Sequence, residues 1–534
     1  MSSEVKKSKR AKRTKTPSFI LELPLVVSKK EEKELLSRFE SARNIYNACL
    51  GYAKRKVYLV KQSKAFQKAR KISKSDKNKA IRKEAFQIAR DAYDYDEYAI
   101  HKYACELRHN LVNDLDIHTV QKLETRAFKA TEKIIFGTAK KVRFKGYNQF
   151  DSVESKSNVT GIRWRDNVVE WNGLALKPVI KIEDEVISYS LKHRVKYCRI
   201  FRKEIKGKNR FYIQLILEGK PYVKAKNKMG KGTVCYDIGP STVAIVALND
   251  NNEFNAKLTL FCSELDIRQK EITRLQRHID RQRRQNNPNN YSDGNGKGKI
   301  KRGRLIWKKS KRQLENEKEL RELFRVVSSH RKSLHGKLAN ETIRMGNVFK
   351  TEKLSKKWLQ KNFGKSIGIR APAMYTSFMK RKAESAGGSH DEISTVQTML
   401  SQSCHCGARH KKKLSDRIHD CICGIYCQRD LFSAYLGIFV DKTGEKYILQ
   451  AAEASRLWTS ADKLLQTAWQ DAVESTTSGT CPASFGKPKA FQSQSRSFAK
   501  DRIAKLKVQN VVLGGSAEES LKESEAFPSE PAGF

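Results

Sequence analysis

The chain has 534 residues, 107 of them Lys or Arg and 58 Asp or Glu, for a formal net charge of +49. Length alone allows roughly two to four domains. A charge excess this large is more than a solvated surface, because self-repulsion destabilises a compact chain unless a polyanion screens it. Phosphate contacts by Lys and Arg make DNA or RNA the expected polyanion. The sequence holds no apolar run of about 18 residues and no amphipathic anchor with a large aromatic face, which argues against a membrane protein.

Taken in chain order, MSSEVKKSKRAKRTKTPS is basic with no apolar core behind it, so residues 1–17 read as a flexible basic arm rather than a secretory signal. Residues 18–27 (SFILELPLVV) read as a strand broken by Pro24. Residues 30–60 take a helical period, with Leu35, Leu36, Phe39, Ala42, Tyr46, Cys49 and Leu50 on one face. Basic helices continue to residue 135. Residues 140–230 look β-rich, with short runs such as VRFKGYNQF, GIRWRDNVVEW, YCRIFRKE and RFYIQLILEG, and suggest a nucleic-acid-binding barrel. In this region Lys141, Arg143 and Lys145 alternate with Val142, Phe144 and Gly146. In a strand that alternation puts the three cations on one face, as a candidate nucleic-acid contact or as a solvated edge that discourages aggregation.

Residues 232–249 (GTVCYDIGPSTVAIVALN) read as a β-hairpin turned at Gly239 and Pro240. Two long helices follow, marked by Leu265, Ile272, Leu275 and Ile279, then by Leu320, Leu323, Val327, Leu334 and Leu338. The stretch between them, NNPNNYSDGNGKGKIKRG, is compositionally a flexible loop. Its GNGKG follows no strand and opens no helix, so it is a weak phosphate-binding motif. A strand is expected over 348–354, a helix over 429–439 and another near 450–473. The tail from 476 is low in apolar content and reads as mostly disordered.

Three acids stand at expected strand ends or a helix start: Asp237 after GTVCY, Glu352 in NVFKTEKL and Asp430 in CQRDLF. Singly, each has an ordinary alternative as a turn cap, a surface ion pair or a first-turn helix acid. Together, three carboxylates repel strongly. Mg²⁺ or Mn²⁺ offsets that repulsion, and two such ions can hydrolyse a phosphodiester. Between the second and third acids lie Cys404, Cys406, Cys421 and Cys423, in the pattern C-x-C-x₁₄-C-x-C. Paired thiolates with a following Gly are usual for structural zinc, though both pairs are one residue shorter than the common spacing. His405, His410, His419 and Cys427 are possible substitutes. The alternative is a knuckle that no longer binds metal. Cys49, Cys105, Cys198, Cys235 and Cys262 are scattered singly among apolar neighbours, as buried free thiols are. With no export signal, they suggest a reducing cytoplasm.

These residues resemble the TnpB family, RNA-guided nucleases of bacterial insertion sequences related to compact type V CRISPR effectors. Asp237, Ile238 and Gly239 match the family's D-x-G. Glu352, Lys353 and Leu354 match the second acid motif, and Arg429, Asp430, Leu431 and Ala434 match R-D-x-N-A-A. Near the front, EKELLSRFESARNIYNACL and KVRFKGYNQF are similar to the family's first helix and basic-aromatic segment. The motifs run in family order over about residues 18–440. Phe432 and Ser433 replace the family's Asn-Ala, and Gln428 replaces a common acid.

The resemblance implies a multidomain α+β and α/β chain. A β-barrel wedge domain would occupy 18–30 and 136–230, with a helical recognition domain inserted at 31–135. A RuvC-like, RNase H-fold nuclease domain would occupy 231–400 and 428–445, with a zinc-knuckle insertion at 401–427 and a tail at 446–534. It implies catalysis by Asp237, Glu352 and Asp430 with two Mg²⁺ or Mn²⁺ ions, and structural Zn²⁺ on the four cysteines. The partners would be a guide RNA and double-stranded target DNA, in a bacterial cytoplasm or nucleoid. A compact type V CRISPR effector, a non-cutting guide-dependent DNA-binding repressor and a plain basic RNA-binding protein are the alternatives.

Overall fold

The computed structural model describes residues 16–111, 114–413, 415–476 and 482–486. The expected basic arm (residues 1–17) and the expected disordered tail therefore lie almost wholly outside the described residues. The chain divides into two compact units, Met1–Val223 and Lys224–Phe534.

In the first unit, β1 (Ser18–Val26) leads into α1 (Lys29–Gln62). Helices α2 (Lys64–Lys71), α3 (Lys79–Asp91), α4 (Glu97–Leu111) and α5 (Ile117–Ile135) follow. Then come β2 (Ser152–Glu154), β3 (Arg163–Arg165), β4 (Val168–Trp171), β5 (Leu174–Pro178), α6 (Glu185–Leu191), β6 (Val195–Ile205) and β7 (Lys208–Glu218). The strands form one sheet in the order β2-β6-β7-β1-β5-β4-β3. Among the described residues no ladder joins β2 to β3, so the expected barrel is a seven-stranded half-barrel, with β3 curling back toward β6.

Pro24 does not break β1. It sits where the strand passes from β7, its partner through Pro24, to β5, its partner from Leu25 onward. There the missing N–H costs no ladder bond, and the Pro24 carbonyl still accepts from Val179 at 2.8 Å. Helix α1 opens with a capping box in which Ser28 and Glu31 satisfy each other's backbone. The face expected from the sequence is buried, with Leu36 only partly covered.

The strand expected over 141–146 is absent. Asn47 on α1 donates to the Lys145 carbonyl and accepts from the Lys145 N–H, both at 2.8 Å. Arg43 donates to the same carbonyl, and the Asn148 N–H donates to Glu40. Side chains of α1 thus satisfy backbone groups that a ladder would otherwise pair. Lys141, Arg143 and Lys145 are all exposed, but on a pinned loop, so strand alternation does not define their face.

The second unit begins with β8 (Thr233–Ile238), β9 (Thr242–Leu248) and β10 (Phe254–Leu260). Helices α7 (Asp266–Asn286) and α8 (Lys311–Ile343) lead to β11 (Val348–Glu352). Then follow α9 (Lys356–Arg370), α10 (Pro372–Ala386), β12 (Ser389–Ile393) and α11 (Thr395–Thr398). The unit continues with β13 (Ile418–Asp420), β14 (Tyr426–Gln428), α12 (Arg429–Ile438), β15 (Val440–Thr443), β16 (Lys446–Leu449), α13 (Ala451–Arg456) and α14 (Trp458–Glu474). Its main sheet has the order β10-β9-β8-β11-β12; β8, β9 and β10 are antiparallel, and β11 and β12 run parallel to β8. The polar sequences FNAKLTL and SHDEI hid β10 and β12 from periodicity.

Strand parity gives this sheet two apolar faces. Val234, Tyr236 and Ile238 join a core with α8 and α10 residues, whereas Cys235 joins Leu431, Leu436, Leu465 and Trp469 on the other side. The segment between α7 and α8, expected to be a flexible loop, is folded around fully buried Tyr291. Among the described residues, no helix is long and apolar enough to cross a membrane.

Candidate active site

Parity brings the first two acids to one face. Asp237 follows Cys235 on the α12 side of β8. Tyr236 pairs with Thr351 across the parallel ladder, which sets Glu352 at the adjoining strand end. Lys350, two residues before Glu352 and on the same face, donates to the Ile438 and Val440 carbonyls at the end of α12. Helix α12 packs on β8, β9 and β11. Its N-cap is Gln428, whose side chain accepts from the Leu431 N–H at 2.7 Å. A Cβ on Gly437 would lie 2.3 Å from the Cys235 Sγ, so the helix can sit this close to the sheet only with glycine there. Asp430, two turns before Gly437, is thereby carried over the strand ends.

All three acids line one cavity of about 210 Å³, together with Lys412, Lys413, Arg417 and Arg429. Asp430 is buried and accepts from Arg429 Nε and Nη2 at 3.1 and 3.0 Å and from Thr242 Oγ1 at 3.3 Å. Arg417 stands 3.9 Å from its other oxygen. Burial raises the Asp237 pKa well above the usual range; the charges of Asp430 and Glu352 add to this, while Arg429 and Arg417 oppose it. Burial likewise pushes Glu352 up to about 7, with Asp430 adding to the rise and a hydrogen bond from the Leu400 backbone and the Arg429 charge working against it. Carboxyls whose ionised forms are penalised by burial and further by one another's charge are a donor set that a hard divalent cation relieves.

Among the described residues, the four knuckle cysteines are the group whose ligand atoms all lie within 4.8 Å of one another. The three carboxylates share one cavity. Cys404 and Cys423 Sγ are 3.6 Å apart, as are Cys406 and Cys421 Sγ. A tetrahedral ion with bonds of about 2.3 Å requires sulfurs about 3.8 Å apart, so zinc fits these thiols. Each pair turns at a glycine with positive φ, Gly407 at 87° and Gly424 at 90°. The short C-x-C spacing is therefore no obstacle to convergence.

Of the possible substitute ligands, His405 and His419 stack on Trp458 and Phe432. Cys427 is buried in the core, and His410 Nε2 lies 4.0 Å from Cys421 Sγ. The knuckle also supports the cavity: β13 pairs with β14, which runs directly into α12, and Arg429 bonds the backbone of Arg417 and Asp416. Phe432 fills the space between His419 and Trp458. Arg417 and Lys412 carried no signal in the sequence. They reach the cavity only through the β13–β14 fold-back.

No family model matches this chain, and no curated protein matches it. Among solved structures it is similar to a Cas12f1–sgRNA–target DNA complex, over 79% of this chain and 98% of that one, with a TM-score of 0.43 and 12% identity. It is also similar to a CRISPR-Cas12f ternary complex, over 77% of this chain and 82% of that one, with a TM-score of 0.26 and 13% identity.

Proposed function

We propose that this protein is an RNA-guided DNA endonuclease of the insertion-sequence type, with Asp237, Glu352 and Asp430 as its catalytic acids. The observation that carries the reading is the meeting of these three carboxylates, far apart in sequence, at one cavity lined by four cations. The acids would hold two Mg²⁺ or Mn²⁺ ions, which when bound activate water and stabilise the leaving oxygen of a phosphodiester. Arg429 and Thr242 fix the rotamer of Asp430, and Arg429 and Arg417 temper the negative charge of the cavity. Lys412 and Lys413 line the same wall and would draw in a phosphate. Cys404, Cys406, Cys421 and Cys423 would hold one structural zinc, leaving no open position for chemistry. In this reading the first unit's sheet is the wedge domain, α1–α5 are the recognition insertion, and the second unit is the nuclease.

The net charge of +49 suits a channel for guide RNA and target DNA, in which base pairing reads sequence and the protein reads backbone shape. Asp237→Ala, Glu352→Gln and Asp430→Ala should each abolish metal-dependent cutting by the RNA-loaded protein and leave guide and target binding intact. Undiminished cutting by a variant removes that residue from the site. Target binding without cutting by the unsubstituted protein favours a guide-dependent repressor. Metal analysis should give about one zinc per chain.

A further inference from the structure

The segment joining α7 to α8 is strongly basic: with the end of α7 and the start of α8, residues 281–312 hold twelve Lys or Arg and a single Asp. Self-repulsion would favour an open, solvated loop. The structure shows a built one. Arg284 donates to the Gly296 carbonyl at 2.8 Å, and its guanidinium lies 4.9 Å from the centroid of Tyr291. Arg283 covers Trp307 at 3.9 Å. Buried Asn287 accepts from the Lys308 N–H and donates to the Lys308 carbonyl. Tyr291 and Ile300 form an antiparallel bridge, flanked by bonds from the Ser292 N–H to the Lys299 carbonyl and from the Lys301 N–H to the Asn290 carbonyl. Lys299 and Lys301 thus flank Ile300 in extended backbone, where alternate side chains share a face, and Lys297 stands in the bend just before them. All three are exposed. Among the described residues, Arg284 pairs with Asp280 and Lys309 with Glu317, whereas these three lysines pair with no carboxylate.

We infer that this folded tip is a second DNA-binding element, which grips the phosphate backbone of the duplex whose cleavage is proposed above. Placement favours DNA over RNA. The turn that carries Gly239 and Pro240 into the acid cavity is tied to the approach to α7, where the Phe261 N–H donates to the Ser241 carbonyl at 2.7 Å. From there α7 rises for 21 residues, about 32 Å, close to one turn of B-DNA at about 34–36 Å. A duplex seated at the cavity and running along α7 would present its backbone to the tip.

The inference rests on the nuclease reading for its choice of nucleic acid, and its test is separate from cutting. Affinity of the purified full-length protein for a labelled DNA duplex and for a hairpin RNA of similar length would be measured at several salt concentrations. Replacing Lys297, Lys299 and Lys301 by Ala should make the slope of log affinity against log salt shallower by about two to three for the duplex and leave the RNA slope unchanged. Gly296→Val keeps every charge but deforms the tip, because Gly296 has a φ of 78° and a Cβ there would lie 2.9 Å from the Arg284 carbonyl oxygen. It should weaken duplex binding severalfold. Duplex affinity and its salt slope are read without cutting, so the result stands whether or not Asp237 proves catalytic. An unchanged duplex slope, a change with RNA alone, or wild-type duplex binding by Gly296→Val would each overturn the assignment.

Discussion

Burial, with neighbouring carboxylates adding to it, penalises the ionised forms of Asp237 and Glu352 and raises both above the usual carboxylate range. A carboxyl whose folded pKa is raised costs stability wherever the unfolded chain would ionise it, so this penalty grows as pH rises above the unfolded value. Asp237→Asn removes the penalty. It should raise the melting temperature of the metal-free protein at pH 8, by about 2–4 °C for each kcal/mol relieved, and raise it less at pH 5. The same variant should fail to cut. A lower melting temperature at pH 8 would show that Asp237 is a structural group.

Glu124 on α5 poses the same question away from the cavity. Burial pushes it up to about 8, Glu97 on α4 adds to this, and Thr125, Lys129 and Lys156 work against it. Cys49 on α1 and Cys105 on α4 face the same carboxyl. The first unit should therefore lose stability between about pH 4.5 and 8, with a slope of at most about 1.4 kcal/mol per pH unit, and level off above. Glu124→Gln should flatten that dependence and exceed the unsubstituted protein in denaturant midpoint at pH 9. Parallel pH profiles for the two proteins would refute the argument.

At the scale of elements, the candidate site depends on how closely α12 approaches β8. A methyl group at position 437 would collide with the Cys235 sulfur, and overpacking of this kind costs about 1–3 kcal/mol. Gly437→Ala should lower stability by that order. It should reduce cutting by more than the folded fraction accounts for, because Asp430 rides on the same helix. The double variant Cys235→Ala with Gly437→Ala removes the colliding sulfur and should recover most of both losses. If cutting stays low while stability recovers, Gly437 acts other than through helix placement.

Across the whole molecule, positive charge exceeds negative by 49, and binding to any nucleic acid should weaken steeply with salt. Lys141, Arg143 and Lys145, exposed on the loop held by Asn47 and Arg43, are proposed contributors. Changing all three to Ala should leave the melting temperature unchanged and make the salt dependence shallower by up to about three counterions for guide RNA or for target DNA. Unchanged slopes for both would assign the loop to solvent.

Much of the α1 face and the β8–β9 hairpin could be read from spacing alone, since 3.6-residue and two-residue periods follow from backbone geometry. So could the candidate roles of Asp237, Glu352, Asp430 and the four cysteines, because few residue types can bind hard cations or zinc. Spacing could not show that Pro24 is tolerated at a change of strand partner, nor that side chains of α1 take the bonds residue 145 would need in a sheet. It could not reveal β10 and β12, whose polar residues find their place by pairing with β9 and β11. Nor did composition show that Tyr291, Asn287 and Arg284 would fold a loop rich in Gly, Asn and Lys. Arg417 and Lys412 reach the acids only once β13 folds back on β14. Local periods and donor chemistry are properties of the chain, whereas pairing partners, helix-to-sheet distance and the cations that meet the acids depend on contacts between residues far apart in sequence, which only the tertiary structure decides.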